Sequence, residues 1–136
     1  MNEILQTRVC PSENNAMKLI RFLLSLLAAP LLLAQDAVKV APKNFKVLQE
    51  NEQVRVVQDT LAPGEIEATH THPAGWYYVT MPGTMKVTYA DGKTTTWTAK
   101  QGEQAWMDAE SAHTSENIGK TTIQYVLVEV KSASKQ

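Results

Sequence analysis

The chain has 136 residues, a formal net charge of −1, 20% charged residues and a single cysteine. That length is room for one domain. Acids and bases are interspersed with no basic patch or long charge run, which argues against a nucleic-acid partner, and one cysteine excludes an internal disulfide framework.

Residues 1–16 carry Glu3, Glu13, Cys10 and the pair Asn14 and Asn15, which do not suit the start of an export signal. From Met17 the pattern changes. Lys18 and Arg21 form a positive stretch, Phe22 to Leu33 an apolar run, and Ala34 is a small residue suited to cleavage. Residues 17–34 are expected to be a signal peptide, with an uncleaved anchor as the alternative. The apolar run is only about half of a ~20-residue membrane span, so no stable membrane span is expected. Residues 1–16 are expected to be a mis-set start or an unstructured leader. On this reading residues 35–136 are the mature, periplasmic or secreted protein, with no cysteine for thiol chemistry. About a hundred residues suffice for one small core.

After residue 40 helical periodicity is almost absent and strand signals recur at short intervals. Phe45 to Gln49 is a short apolar-rich strand, and Val54, Val56 and Val57 mark a second. Pro63-Gly64 turns the chain. Ile66, Ala68, His70 and His72 then alternate with Glu67, Thr69 and Thr71, which predicts that the two histidines share a face with the apolar residues and that Glu67 is solvated. Trp76 to Met81 is an aromatic and β-branched strand ending at Pro82-Gly83. Met85, Val87 and Tyr89 alternate along the next, and Asp91-Gly92 forms a hairpin into Thr94 to Ala99, with Trp97 on one face. Gln101-Gly102 turns again. Ala105 to Met107 and Ala112 to Glu116 are short strands, and Thr121 to Val130 is the longest, with Ile123, Tyr125 and Leu127 on one face. The tail from Lys131 is polar and expected to fray. Eight or nine short strands point to an antiparallel sandwich or barrel.

The chain has three histidines, and two of them, His70 and His72, lie two apart on a predicted strand. They point the same way, about 7 Å apart along the backbone. Two imidazoles at that spacing, with His113 as a third, can converge on one ion, since neutral imidazole is the commonest metal ligand among side chains. A lone buried histidine would read as a hydrogen-bonded core residue instead. Ser111 beside His113 does not make a hydrolase, because no nucleophile elbow accompanies it.

The stretch from Gly64 to Gly83 resembles the first motif of the cupin family: Gly, five residues, His-x-His, three or four residues, Glu, six residues, Gly. Gly64, His70, His72 and Gly83 fit it. The second motif is Gly, five residues, Pro-x-Gly, two residues, His, three residues, Asn. Gly102, His113 and Asn117 fit it, with Asp108 and Glu110 in place of the proline and glycine. The resemblance covers roughly residues 45–130. It implies an all-β fold, an antiparallel jelly-roll β-barrel, with His70, His72 and His113 as ligands of a divalent metal ion such as Fe, Mn, Zn or Ni. A possible homodimer and a small-molecule ligand or substrate are implied too. The motif's glutamate falls on Trp76 or Tyr77, neither of which carries a carboxylate. The site therefore resembles the three-histidine variants of the family, of which thiol dioxygenases are the enzymatic case. Three neutral ligands leave the ion its full charge and favour an anionic or chelating ligand. The expectation is a metal-dependent enzyme of dioxygenase, lyase or isomerase type. The alternatives are a non-catalytic binding or sensing protein and a structural barrel with a vestigial site.

Weaker expectations concern the surroundings. Trp76 and Tyr78 share a strand face that the motif turns inward, as pocket walls or core fillers. Tyr78 or Tyr125 can serve as a proton donor. Glu103 is expected in solvent, and Asp108 and Glu110 either orient an imidazole or are exposed loop charges.

Overall fold

The computed structural model describes residues 35–131. The expected leader (1–16), signal peptide (17–34) and tail (132–136) lie outside the described residues. Among the described residues no helix is long and apolar enough to cross a membrane.

Among the described residues nine strands follow one short helix: α1 (Ala37–Val40), β1 (Phe45–Glu50), β2 (Val54–Leu61), β3 (His70–His72), β4 (Gly75–Met81), β5 (Gly83–Tyr89), β6 (Thr94–Ala99), β7 (Gln104–Met107), β8 (Glu110–Asn117) and β9 (Ile123–Val130). They form two antiparallel sheets, ordered β1-β2-β9-β4-β7 and β3-β8-β5-β6. This is the all-β jelly roll expected from the strand count. The α1 helix lies before the stretch where strand signals begin. Asp36 caps it by accepting from the Val38 N–H at 3.1 Å.

The inner faces follow the period of two. Val57 and Leu61 from β2, Val79 from β4, Met85 from β5 and Ile123 and Leu127 from β9 meet in one core, and Phe45 closes it. Each such side chain contributes about 1.5–3 kcal/mol of burial. Gly83 lies where a Cβ would stand 2.6 Å from the Ile123 Cβ, so only glycine lets the start of β5 approach β9. Gly102 has φ +80°, which the turn between β6 and β7 requires and glycine adopts without strain.

Two expectations of register are corrected. The strand expected from Ile66 to His72 shrinks to β3, because a bend at Thr69 breaks the alternation. Ile66, 61% exposed, forms only an isolated bridge to Glu116, while Glu67 turns inward and is 2% exposed. On β4 the inward positions are Gly75, Tyr77 and Val79, a phase set by the fully buried Val79. Trp76 and Tyr78 therefore face out, stacked on each other with ring centroids 6.1 Å apart. Trp76 is paired across the strands with the exposed Trp106.

Candidate metal centre

His70 and His72 stand on β3, and His113 on β8 lies directly opposite His70 in the antiparallel register. The pairing shifts by one residue beyond that point, so His72 stands opposite Glu110. All three imidazoles are buried, and one ring nitrogen from each lies within 4.8 Å of the others. Ring centroids are 4.5 Å apart for His70 and His113 and 4.8 Å for His70 and His72. The three predicted residues are thus brought together.

Their second nitrogens explain which way they face. The Nδ1–H of His70 donates to the Ala68 carbonyl at 2.7 Å, and that of His113 to the Ser111 carbonyl at 2.7 Å. His72 Nδ1 donates instead to Glu129 Oε1 at 3.1 Å. Because an imidazole held at Nδ1 by an acceptor presents an unprotonated Nε2, the three Nε2 atoms are the free donors to an ion. His70 Nε2 is buried and has no hydrogen-bond partner. Burial pushes the His70 imidazolium down to about 4, and burial lowers His113 as well, so both are neutral at pH 7. Neutral, convergent imidazoles with one orphaned nitrogen are the donor set a divalent ion takes, and the residues can hold one.

Three buried acids around this cluster, Glu129, Asp59 and Glu67, were not read from the sequence as site residues. Glu129 is 2% exposed and accepts from Arg55 Nε at 2.6 Å as well as from His72. Burial works against its charge, but His72 and Arg55 outweigh that and hold its carboxyl below the usual range. Arg55 in turn grips both carboxylate oxygens of Asp36 at 2.9 Å. Asp59 and Glu67 are also buried, and none of their carboxylate oxygens has a hydrogen-bond partner. A signal for Glu129 and Asp59 exists in the sequence: each continues the apolar register of its strand, Glu129 after Leu127 and Asp59 between Val57 and Leu61.

A cavity of about 210 Å³ opens beside the cluster. His72, His113 and Glu110 form its polar end, and Tyr77, Met85, Trp97, Met107, Tyr125 and Leu127 its apolar walls. Tyr77, not Trp76 or Tyr78, is the β4 aromatic that lines it. Tyr125 reaches it and Tyr78 does not, so of the two candidate proton donors only Tyr125 is placed. Glu103 is not simply solvated: it accepts from Trp97 Nε1 at 2.9 Å and from the Tyr77 hydroxyl at 3.2 Å, fixing two walls. Glu110 lies 3.5 Å from His113 Nε2 and accepts from the Tyr89 hydroxyl at 3.4 Å. Asp108 is an exposed loop charge, as one of its two readings had it. His72 and Glu110 also line a shallow outer groove with Asp36, Arg55, Thr71 and Pro73.

Residues 57–129, more than half of the chain, match the family described as the cupin domain. Among solved structures the chain is similar to a cupin domain from Bordetella pertussis Tohama I, at 21% identity and TM-score 0.59, covering 65% of this chain and 92% of that one. It is similar to an RmlC-like cupin family protein with a double-stranded β-helix fold from Methanocaldococcus jannaschii, at 17% identity and TM-score 0.52, covering 63% and 77%. A conserved protein with a double-stranded β-helix domain from Klebsiella pneumoniae shares 24% identity at TM-score 0.52, covering 66% and 78%. No curated protein matches the chain.

Proposed function

The chain belongs to the cupin family, and on that premise we propose that it binds a divalent metal ion through His70, His72 and His113 and presents it to a small molecule. One observation carries this: three buried imidazoles converge, each turned by an acceptor at Nδ1, and His70 Nε2 is left with no partner. Such a nitrogen costs free energy to bury unless an electron-pair acceptor meets it. An ion there supplies a Lewis-acid centre with open positions for an anionic or chelating group. The cavity supports the rest of the ligand's description. Its aromatic and methionine walls suit an apolar or aromatic body, and its volume limits that body to a small molecule.

The reading includes export, with a mature chain beginning near Gln35, which the charge and hydropathy pattern of residues 17–34 supports. It also includes pairing of two copies, which the exposed apolar outer face around Trp106 and Tyr78 supports. The test is loading of the purified protein with Fe(II), Mn(II), Zn(II) or Ni(II), followed by metal analysis. Wild type is expected to retain one ion per chain, and His113→Ala almost none. Equal content in the two would remove this reading. Oxygen uptake by the iron-loaded form with small thiol, hydroxy-acid or phenolic ligands separates a dioxygenase from a binding protein.

A further inference from the structure

Two buried carboxyls have no role so far. Asp59 is 0% exposed and Glu67 2%. They lie side by side with Ser115 and Tyr125 around them, yet no carboxylate oxygen of either reaches hydrogen-bonding geometry. Among the described residues neither meets a lysine or arginine. The nearest base is His70, whose Nε2 stands 3.8 Å from Glu67 Oε2. The unsatisfied Glu67 carboxyl and the unsatisfied His70 nitrogen thus face each other, with Asp59 beside Glu67. Water or a hydrogen bond normally satisfies such groups, and a cation between Glu67 and His70 would satisfy both.

The chain path explains how Glu67 arrives there. The Glu67 N–H donates to the Ser115 carbonyl at 2.9 Å, which anchors the segment on β8. The bend at Thr69 then brings Glu67 and His70, three residues apart, onto the same side. Donors bound to one ion at about 2.1 Å are separated by about 3 Å at right angles and about 4 Å across the ion. The observed 3.8 Å falls between.

We propose that Glu67 is a fourth protein ligand of this centre, its carboxylate arriving from before the His-x-His pair where the family motif places an acid after it. The proposal rests on the three-histidine reading above. It changes the chemistry expected of the site. A carboxylate ligand cancels one unit of the ion's charge, so the preference for anionic partners weakens. Glu110 is the other acid near a ligand nitrogen. It is partly exposed, keeps the Tyr89 hydroxyl as partner and stands at the cavity's polar end, where solvent and ligand reach it.

The experiment compares wild type, Glu67→Gln, Glu110→Gln and His113→Ala by competitive titration with Zn(II) and by the visible absorption of the Co(II)-loaded proteins, with circular dichroism as the check of folding. Wild type is expected to bind, and His113→Ala to lose binding. Glu67→Gln should bind at least about tenfold more weakly with altered Co(II) bands, and Glu110→Gln, at the rim of the same cavity, should lose less than Glu67→Gln. If Glu67→Gln matches wild type in both affinity and spectrum, Glu67 is not a ligand and the three-histidine site stands without it. A loss in Glu110→Gln alone also overturns the proposal and assigns the acid to Glu110. A wild type that takes up no ion overturns both readings. Glu67→Asp keeps the charge but shortens the reach by one methylene; it carries the same expectation and the same overturning result if the glutamine variant does not fold.

Discussion

The two sheets divide the chemistry between them. The β3-β8-β5-β6 sheet carries the three imidazoles, while the β1-β2-β9-β4-β7 sheet carries two of the buried acids, Asp59 and Glu129. Bases on one wall face acids on the other, and the candidate centre lies where the walls meet. The difference also shows in how each ligand is oriented. His70 and His113 lean on carbonyls within two residues of themselves, so their pose is local to their own strand. His72 leans on Glu129, 57 residues away on the opposite sheet. Its pose exists only when the two sheets are correctly docked. One member of the triad therefore reports on tertiary structure, and the other two on secondary structure.

That contrast can be broken at Glu129. Glu129→Gln keeps the shape but removes the carboxylate that orients His72 and meets Arg55. Affinity for a divalent ion should fall about 10- to 100-fold, the usual cost of losing such a partner. Competition titration checks it, and an unchanged affinity would show that His72 needs no help from the opposite sheet. No comparable substitution exists for His70 or His113, because their acceptors are backbone.

At the other end of the barrel the sheets are tied by Asn117. From β8 its amide donates to the Leu61 carbonyl on β2 at 2.9 Å and to the Thr121 carbonyl at 2.9 Å, and it accepts from the Gly119 N–H. Asn117→Ala takes a donor from the Leu61 and Thr121 carbonyls, while the Gly119 N–H keeps the Thr84 carbonyl at 3.2 Å, and should cost about 1–3 kcal/mol of stability, read from denaturant unfolding. The asparagine of the second motif is thus a structural clamp, and metal affinity in the folded variant should be unchanged.

A smaller effect belongs to Asp36. Hydrogen bonds from Arg55 hold its carboxyl below the usual carboxylate value. A folded value below the unfolded one means a contribution present above about pH 4 and lost as pH falls through the lower folded value. Asp36→Asn should therefore cost a few tenths to 1 kcal/mol at pH 7, as for a half-exposed pair, with the gap to wild type closing in acid. Thermal unfolding at pH 7 and pH 3 tests the sign; a gap that widens in acid would contradict it. The smallest effect is expected from Trp76→Glu. The motif spacing makes Trp76 a natural place to restore an acid, but its side chain lies outside the barrel. Its metal affinity should stay within about twofold of wild type, whereas Tyr77→Glu puts a carboxylate into the cavity and should change it. A strong gain from Trp76→Glu would mean that the register of β4 is wrong.

Much of this was legible in the residues. Alternation and turn pairs located all nine strands to within a few positions, the spacing of His70 and His72 marked a convergent pair, and the resemblance to the second cupin motif added His113. What escaped were places where a local irregularity resets the period. One bend at Thr69 reversed Ile66 and Glu67, because alternation predicts sides only while the chain stays extended. On β4 three consecutive aromatics, Trp76, Tyr77 and Tyr78, offer either phase, and only the core position of Val79 decides. The buried acids were hidden by a different habit of reading. An acid in an apolar register is ordinarily taken as a strand's exposed end, yet Asp59 and Glu129 stay in phase with their neighbours and go inside.

The pairing of Asp36 with Arg55 has a practical consequence for anyone who handles the domain. From the N-terminal side, the first two described residues already touch the machinery. The Gln35 carbonyl accepts from the N–H of Thr71, the residue between the two histidines of β3, and Asp36 reaches through Arg55 to the carboxylate on His72. A chain begun at residue 35 keeps this tether, and one begun at residue 38 severs it. An affinity tag fused directly to Gln35 would pull on the same thread, so a spacer belongs there, and a tag at the opposite terminus is the gentler choice.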